Sequence, residues 1–301
     1  MKVNVKKLKF ALVVAISCSA GISWVYTVSE QECAKINSEP ELRQVYNSAL
    51  EDGNVSTIMW ALREDFKNPE ASRVLAKEEL NLCDIRVAGS NTLFCQTNKG
   101  ITRIKMPQLS GQPAVGSPAD ILLHGKELSE LKTDNAVLRE IVEASYDQDP
   151  KKLKIPLPFK TTKDKGNEVI EVDAAEYFKE YLRKHGKTIT QKKIPAAKLQ
   201  ATQSELVPQK INEMWWALEL GPCNKFYNGI VASIFVSQDN YVLDGHHRWA
   251  AVVANAFGTT NIDKVMMNVF QVNEAIGDEK SGLVKMANDF TNDFGIAAKA
   301  G

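Results

Sequence analysis

The stretch YVLDGHHRWAA, Tyr241–Ala251, decides the fold because a strand pattern ends in it and a helix pattern begins. The apolar run Tyr241–Leu243 predicts a strand, and the following Asp-Gly pair is typical of a tight turn. The helix predicted over His246–Phe257 carries apolar residues at positions i, i+3, i+4, i+7 and i+8, which form one face. The free N–H groups of its first turn therefore point away from the end of the sheet.

The polar residues at this turn predict an anion site. Unpaired N–H groups at a helix start bind anions, and Gly245 allows a ligand to approach the backbone closely. An arginine such as Arg248 can hold a phosphate through two parallel hydrogen bonds. Asp244 is placed to bind a metal or to orient a histidine. The residues that we expect to bind phosphate or a nucleotide are Gly245, His246, His247 and Arg248.

Packing offers a second explanation for each of these residues taken alone. Asp244 can cap the helix, and His246 can be a satisfied, half-buried histidine. Arg248 can pair with a surface carboxylate, which contributes little. A zinc site is a further alternative, but adjacent histidines on a helix point apart and no cysteine pair stands at ligand spacing. Several such residues on one turn favour a ligand site.

Strand and helix patterns alternate around this motif, which predicts an α/β or α+β fold with a small mixed sheet and flanking helices. Strands are predicted over Thr188–Ile194, Ile230–Val236 and Val265–Val272, and Ser237–Asn240 makes a hairpin turn. Helices are predicted over Ser204–Leu218 and Asn273–Phe290.

The whole chain divides into four predicted parts. These are a leader over residues 1–29, a mainly helical region over 30–111, a basic insertion or linker with helices over 112–186, and the motif domain over 187–301. Residues 151–193 contain twelve Lys and Arg against six Asp and Glu, a local charge of +6. We interpret this charge as a solvated linker and helix face, with a nucleic-acid footprint as the alternative.

Composition excludes some functions and allows others. The 301 residues carry 37 Lys+Arg against 37 Asp+Glu, and a net charge of zero argues against a wholly electrostatic nucleic-acid binder. Four lysines between Lys2 and Lys9 precede twenty uncharged residues over 10–29, which is typical of a secretory signal. Cys18 in AISC weakly matches a lipoprotein cleavage box. A later cut near Ala20 or Thr27 and an uncleaved anchor are the alternatives.

Each of these leaders predicts export of the rest of the chain, to the periplasm or the medium. We expect the protein to contact the membrane only through the leader or a lipid anchor. Cysteine usage fits export, because four cysteines follow Cys18 and an even number suggests disulfides in an oxidising compartment. Cys83 and Cys95 flank a predicted hairpin and are the best pair, which leaves Cys33 with Cys223. Four buried free thiols are the alternative.

The motif LDGHHRWAA, behind a hairpin strand and an upstream helix, resembles the nucleotide-binding signature of the ParB/sulfiredoxin superfamily, whose members are often labelled ParB-like nucleases. The resemblance covers about Lys187–Phe270. Similarity to phage-associated ParB-like proteins extends to ITRIKMPQLSG (Ile101–Gly111), EYLRKHG (Glu180–Gly186) and KLQATQSEL (Lys198–Leu206).

The resemblance implies a nucleoside triphosphate such as ATP, bound with Mg²⁺, its phosphates at the start of the motif helix. Sulfiredoxins have a reactive cysteine where this chain has His246, and partitioning ParB proteins have Glu-Arg-Arg at the same place as His246, His247 and Arg248. The free-serine kinases carry Asp-Gly-His-x-Arg, which Asp244, Gly245, His246 and Arg248 reproduce. This match implies phosphoryl transfer, with Asp244 as a Mg²⁺ ligand.

Phosphoryl transfer needs positioning, charge neutralisation and often a base. The segment ATQSELVPQK (Ala201–Lys210) precedes the motif strand, where the serine kinases carry an acidic residue. We expect Glu205 to be the base and Gln203 an orienting amide, with Asp244 and His246 as the other catalytic residues. The alternative is a helix start in which Thr-x-x-Glu forms a capping box.

Three functions stay open at this point. The first is an exported protein that binds a nucleotide or another phosphate ligand and performs phosphoryl transfer or triphosphate hydrolysis. The second is a ParB-like nuclease or nucleic-acid-binding protein, and the third is an exported binding protein without catalysis. ATP is scarce outside the cytoplasm, so export favours the second function, whereas the motif itself favours the first.

Overall fold

The structure is a computed structural model that describes residues 80–81, 98–164, 167–219, 226–257 and 264–297. Its strands are β1 (Leu80–Asn81), β2 (Ser110–Pro113), β3 (Phe159–Asp164), β4 (Asn167–Asp173), β5 (Ile189–Pro195), β6 (Gln200–Ala201), β7 (Glu205–Leu206), β8 (Ile234–Val236), β9 (Tyr241–Asp244), β10 (Met266–Val272) and β11 (Ile296–Ala297). Its α-helices are α1 (Pro118–His124), α2 (Ala136–Ser145), α3 (Ala175–Lys184), α4 (Pro208–Glu219), α5 (Tyr227–Val231), α6 (His246–Phe257) and α7 (Gly282–Phe294).

The largest sheet is mixed and has the strand order β5-β10-β8-β9-β6. β5 and β9 run antiparallel to β10 and β8 respectively, whereas the β10–β8 and β9–β6 pairs are parallel. Successive strand residues face opposite sides of a sheet. Ile234 and Val242 accordingly join the core under α4 and α6, and their neighbours Phe235 and Leu243 join the core under α3 and α7. The sheet is therefore covered on both faces.

A second sheet, of order β11-β2-β4-β3, is antiparallel throughout. Its helices meet the large sheet through a cluster of aromatic rings. The ring centroids of Phe178 and Phe235 lie 5.4 Å apart, those of Phe178 and Phe290 5.2 Å, and those of Phe235 and Phe270 5.5 Å. Because these rings are buried or half-buried, the two sheets share one apolar core.

The described residues form an α+β fold with a small mixed sheet and flanking helices, as the sequence predicts. The motif helix is confirmed over its full predicted range, and the hairpin before it is confirmed as β8 and β9. β2, at the start of the predicted segment 112–186, pairs with both β4 and the C-terminal strand β11. The predicted division of the chain at 186 and 187 stays a prediction.

Three predicted starts of helices or strands are wrong by four residues or more. The helix predicted from Ser204 begins at Pro208, because Glu205–Leu206 pair as a strand with β1 and proline, which lacks an N–H, suits a first helical position. The strand predicted from Ile230 begins at Ile234, because the preceding residues close α5. The last helix begins at Gly282 instead of Asn273, after a turn that includes two glycines with positive φ.

Several predictions lie outside the described residues. They concern the leader, the lipidation of Cys18, the Cys83–Cys95 disulfide and most of the predicted helical region over 30–111. Within the described ranges, no helix combines the length and the apolar character needed to cross a bilayer.

Replacing Phe178 with alanine should destabilise the protein by about 3–5 kcal/mol, because the ring is fully buried at the junction of the two sheets. The free energy of unfolding from urea titrations measures this loss. Phe159→Ala is the matched control, since that ring is 52% exposed and its loss should change stability by no more than about 0.5 kcal/mol. Equal effects of the two changes would contradict this assignment of the core.

Candidate functional site

The backbone turns sharply between β9 and α6. Gly245 links the two elements with a φ of 105°, a conformation that L side chains rarely adopt, and a Cβ atom there would lie 2.4 Å from Cγ2 of Ile234. The first helical hydrogen bond runs from the Trp249 N–H to the Gly245 carbonyl at 2.9 Å. Among the residues that the structure describes, nothing accepts a hydrogen bond from the backbone N–H groups of His246, His247 or Arg248. These three donors are directed at the predicted anion site.

His246 is buried, with 3% of its surface exposed. Its Nε2 atom accepts hydrogen bonds from the backbone N–H groups of Thr202 and Gln203, both at 3.1 Å. Burial, followed by the neighbouring His247, lowers the pKa of His246 to about 3. The imidazole is therefore neutral and satisfied at Nε2, as the packing explanation expects. A base role for His246 does not fit this geometry, because Nε2 already accepts two donors.

His247 is half-buried, and its Nε2 atom also accepts a hydrogen bond from a backbone N–H. Its Nε2 accepts the backbone N–H of Val207 at 2.9 Å. Burial lowers the pKa of His247 to about 3, and the positive charges of Lys210 and Arg103 add to the effect. A ring nitrogen that accepts a backbone N–H carries no proton, so both neutral rings carry their proton on Nδ1.

Each Nδ1–H is consequently a donor at the helix start. Within the described part of the chain, neither group has a protein acceptor, whereas Nε2 of both rings is occupied. Zinc binds a histidine through an unprotonated ring nitrogen, and in both rings that nitrogen, Nε2, already accepts backbone N–H groups. The zinc alternative therefore lacks its histidine ligands. A neutral imidazole with a free Nδ1–H can instead donate to an oxyanion.

Arg248 pairs with Asp244 inside the site. Its Nη2 donates to Oδ2 of Asp244 at 2.9 Å, and its Nη1 lies 3.5 Å from the Gly229 carbonyl. The two side chains are 21% and 40% exposed, so the pair stays open to solvent. An ion pair of this exposure contributes little to stability. A ligand anion can therefore replace the carboxylate at Arg248 at small cost.

The segment of residues 202–207, which we name the wall segment, lies against the start of α6. The Gln203 side-chain amide donates to the Glu205 carbonyl, and Oε2 of Glu205 accepts the backbone N–H of Arg103 at 2.8 Å. Thr202 forms no capping box, because its Oγ1 is buried and has no partner in the described residues. Gln203 and Glu205 thus lie in the wall segment itself, not in a helix.

Two helix starts meet at His247. Val207 immediately precedes α4, and its N–H is bonded to the ring of a residue in the first turn of α6. Both helix dipoles therefore place their positive ends here. The charges of Lys210, from the first turn of α4, and Arg103 also act on this imidazole. Arg103 and Lys210 were not predicted as site residues, because only folding brings their segments beside the motif.

Asp173 is a second residue that the sequence does not reveal. It ends β4, and its Oδ1 accepts the backbone N–H of Ala175 at the start of α3. The pKa of Asp173 is raised, first because surrounding protein atoms desolvate the carboxylate and further because the Asp244 carboxylate faces it. The positive charge of Arg248 opposes this rise. The Asp-before-helix pattern indicates a cap and carries no signal of this proximity.

Asp244 is the predicted Mg²⁺ ligand. Proteins usually hold Mg²⁺ through one or two carboxylates together with phosphates and waters. An exposed carboxylate beside free N–H donors fits an ion that binds together with a nucleotide. In the described ranges, no group of three or more His, Cys, Asp or Glu side chains surrounds a metal-sized space. A Mg²⁺ ion at Asp244 therefore stays a prediction, and the carboxylate is paired with Arg248 here.

Several lysines of the basic segment 151–193 form ion pairs. Its paired lysines are Lys152, Lys160, Lys179, Lys184 and Lys187, each bonded to an aspartate or glutamate. Lys192 and Lys193 are exposed on β5, the edge of the large sheet, where lysines oppose edge-to-edge pairing. These contacts favour the solvated-face interpretation over a nucleic-acid footprint.

Replacing Gly245 with alanine should destabilise the protein by roughly 1–3 kcal/mol from backbone strain alone, with a further cost from the contact with Ile234. Thermal unfolding measures the loss. Gly229→Ala is the control, since Gly229 lies in α5 and a Cβ there meets nothing within 4 Å, so this change should stabilise the helix by roughly 0.5–1 kcal/mol. Stability changes of equal sign would rule out this role of Gly245.

The free energy of unfolding should fall as the pH drops from about 6.5 toward 3. A histidine in the unfolded chain titrates near 6.5, whereas His246 and His247 stay neutral to about 3 in the folded chain, so unfolding takes up protons in this window. His246 alone should remove about 2 kcal/mol between pH 7 and pH 5. Urea titrations across this range measure the change.

His247→Gln should show a smaller decline, because glutamine does not titrate. The carboxyl group of Asp120 has a lowered pKa, so it loses its stabilising charge below about 4, outside this window. Stability that stays constant or rises on acidification to pH 5 would show that the histidines are not held neutral.

Comparison of this chain with protein-family models, with curated proteins and with solved structures gives no match. The resemblance to the ParB/sulfiredoxin superfamily therefore rests on the motif residues alone.

Proposed function

We propose that this protein binds a phosphate-bearing ligand at the start of α6, with a nucleoside triphosphate as the first candidate. The observation that carries the proposal is the meeting of two helix starts at His247, joined by the Val207 N–H bond of 2.9 Å. The free N–H groups of the α6 first turn and the charges of Arg103, Lys210 and Arg248 add to the positive potential there. A multiply charged oxyanion is the ligand class that this potential favours.

The Arg248–Asp244 pair gives the site a way to respond to the ligand. Phosphate oxygens accept the guanidinium as well as a carboxylate does. Binding would free the Asp244 carboxylate, which is 40% exposed, to take Mg²⁺ that binds with the phosphates. The ion would neutralise phosphate charge. The free-serine-kinase pattern of the motif supports this order of contacts.

Phosphoryl transfer or triphosphate hydrolysis is the reaction that we propose. An acceptor hydroxyl or water would attack the terminal phosphorus, the bond to the bridging oxygen would break, and a carboxylate would take the acceptor proton. Glu205 stays the candidate base, since its hydrogen bond to Arg103 uses one carboxylate oxygen and leaves the other. Gln203 is bonded to the Glu205 carbonyl and would orient that residue.

Export and a role as a lipoprotein or secreted protein stay part of the proposal. The cationic N terminus and the uncharged stretch over 10–29 support it. A nuclease is the alternative, but the ion-paired lysines of 151–193 weaken its electrostatic support. Plasmid degradation that both His247→Ala and Arg248→Ala abolish would favour the nuclease instead.

Calorimetric titration of the purified mature chain with ATP, CTP and pyrophosphate, each with and without Mg²⁺, tests the proposal. We expect binding that Arg248→Ala weakens roughly 10- to 100-fold, because a charge-assisted hydrogen bond to phosphate is lost. Arg183→Ala is the control, since Arg183 forms a comparable pair with Glu180 on α3 and lies outside the site. No heat with any of these ligands would overturn the proposal.

A further inference from the structure

The wall segment, residues 202–207, has little regular structure of its own. Its two-residue strand Glu205–Leu206 pairs with β1, and Gln203 forms an isolated parallel bridge with Ile101. A short stretch beginning at Asn98 runs beside it and supplies some bonds, including Asn98 to the Gln203 carbonyl at 3.1 Å. The backbone N–H groups of Thr202, Gln203 and Val207 all point instead at the motif histidines.

These hydrogen bonds need an acceptor atom, which the neutral imidazole rings provide. Two consecutive backbone N–H groups, from Thr202 and Gln203, converge on one atom, an arrangement that elsewhere binds an anion. Here the lone pair of a neutral imidazole takes that place. A protonated ring, a lysine or an aliphatic side chain offers no acceptor at this point. The adjacent histidines of the motif therefore have a role that neither phosphate binding nor helix packing requires.

We infer that His246 and His247 are positioning residues, whose Nε2 atoms hold the wall segment against the start of α6 so that the phosphate ligand binds between the two. This inference rests on the proposed function. It assigns the Nε2 atoms of both rings to the wall segment. The three bonds are made at Thr202, Gln203 and Val207, so Glu205 lies between bonded positions.

Burial disfavours protonation of both rings, and positive charge adds to this effect at His247. Lys210 of α4 and Arg103 face the His247 ring, and Arg248 and Asp244 form an ion pair of their own at the same helix start. Positive charge beside an imidazole disfavours its protonation, which preserves the acceptor. The same cations attract the ligand, so one electrostatic field serves both the wall segment and the proposed anion.

The test uses three variants of His247, which is half-buried and tolerates change better than the fully enclosed His246. In His247→Leu the acceptor is absent, and in His247→Asn the side chain is too short to reach the Val207 N–H. Glutamine in His247→Gln places an amide oxygen near the position of Nε2. The measurements are hydrogen exchange of the Val207 amide and calorimetric affinity for ATP with Mg²⁺.

We expect the Leu and Asn variants to speed exchange at Val207 about 10-fold and to weaken ATP binding by a similar factor, because one hydrogen bond of ordinary strength is lost. The Gln variant should restore both to within about threefold of the wild type. The Phe178 amide on α3 donates to the Ala174 carbonyl just before that helix, and its exchange, which reports general loosening, should not change in any variant.

The outcomes separate the two proposals. A wild-type chain that binds no phosphate ligand overturns the proposed function and this inference with it. A wild-type chain that binds ATP, beside Leu and Asn variants that bind equally well, overturns this inference alone. Weak binding in all three variants, including Gln with a protected Val207 amide, overturns it too, since ring contacts with the ligand would then explain the loss. If the Leu variant does not fold, the comparison of the Asn and Gln variants tests the inference.

Discussion

Hydrogen bonds from three backbone N–H groups to two imidazole nitrogens hold the candidate site together. These bonds exist only while both rings are neutral, and burial keeps them neutral by lowering their pKa to about 3. The same bonds fix the tautomer, which places each proton on Nδ1. Burial of the motif thus determines protonation, protonation determines which atoms accept, and the acceptors determine where the wall segment lies.

Contacts of Gly245 and Trp249 with other elements also hold the start of α6 in place. Gly245 passes close to Ile234 of the large sheet, where no side chain fits, and Nε1 of the fully buried Trp249 donates to the Ala196 carbonyl at 3.0 Å. Because both faces of the sheet are covered, β8 and β9 cannot shift without breaking two cores. The first turn of α6 with its free N–H donors is therefore held in place by the sheet, which suits the anion binding that we propose.

The charges that act at this site belong to a few neighbouring residues, since the chain as a whole has a net charge of zero. Five lysines of the basic segment form ion pairs with carboxylates inside and outside the segment, whereas the positive charges that act on His247 come from Lys210 and Arg103. Arg248 is balanced by Asp244 in a solvent-accessible pair that an incoming anion can replace. The positive charges that act on His247 thus come from residues that folding brings together, not from an overall excess of lysine and arginine.

Local sequence determined the hairpin, the glycine turn and the full extent of α6, because periodicity and turn chemistry are written within a few adjacent residues. It also determined that polar groups cluster at that turn. It did not determine where α4 begins, since the pairing of Glu205–Leu206 with a strand from residue 80 competes with helix propensity. The approach of Arg103, Lys210 and Asp173, and the capture of Nε2 by the wall segment, depended on tertiary structure. Those contacts join residues tens of positions apart, and only the packing of the sheet and its helices brings them within hydrogen-bonding or electrostatic reach.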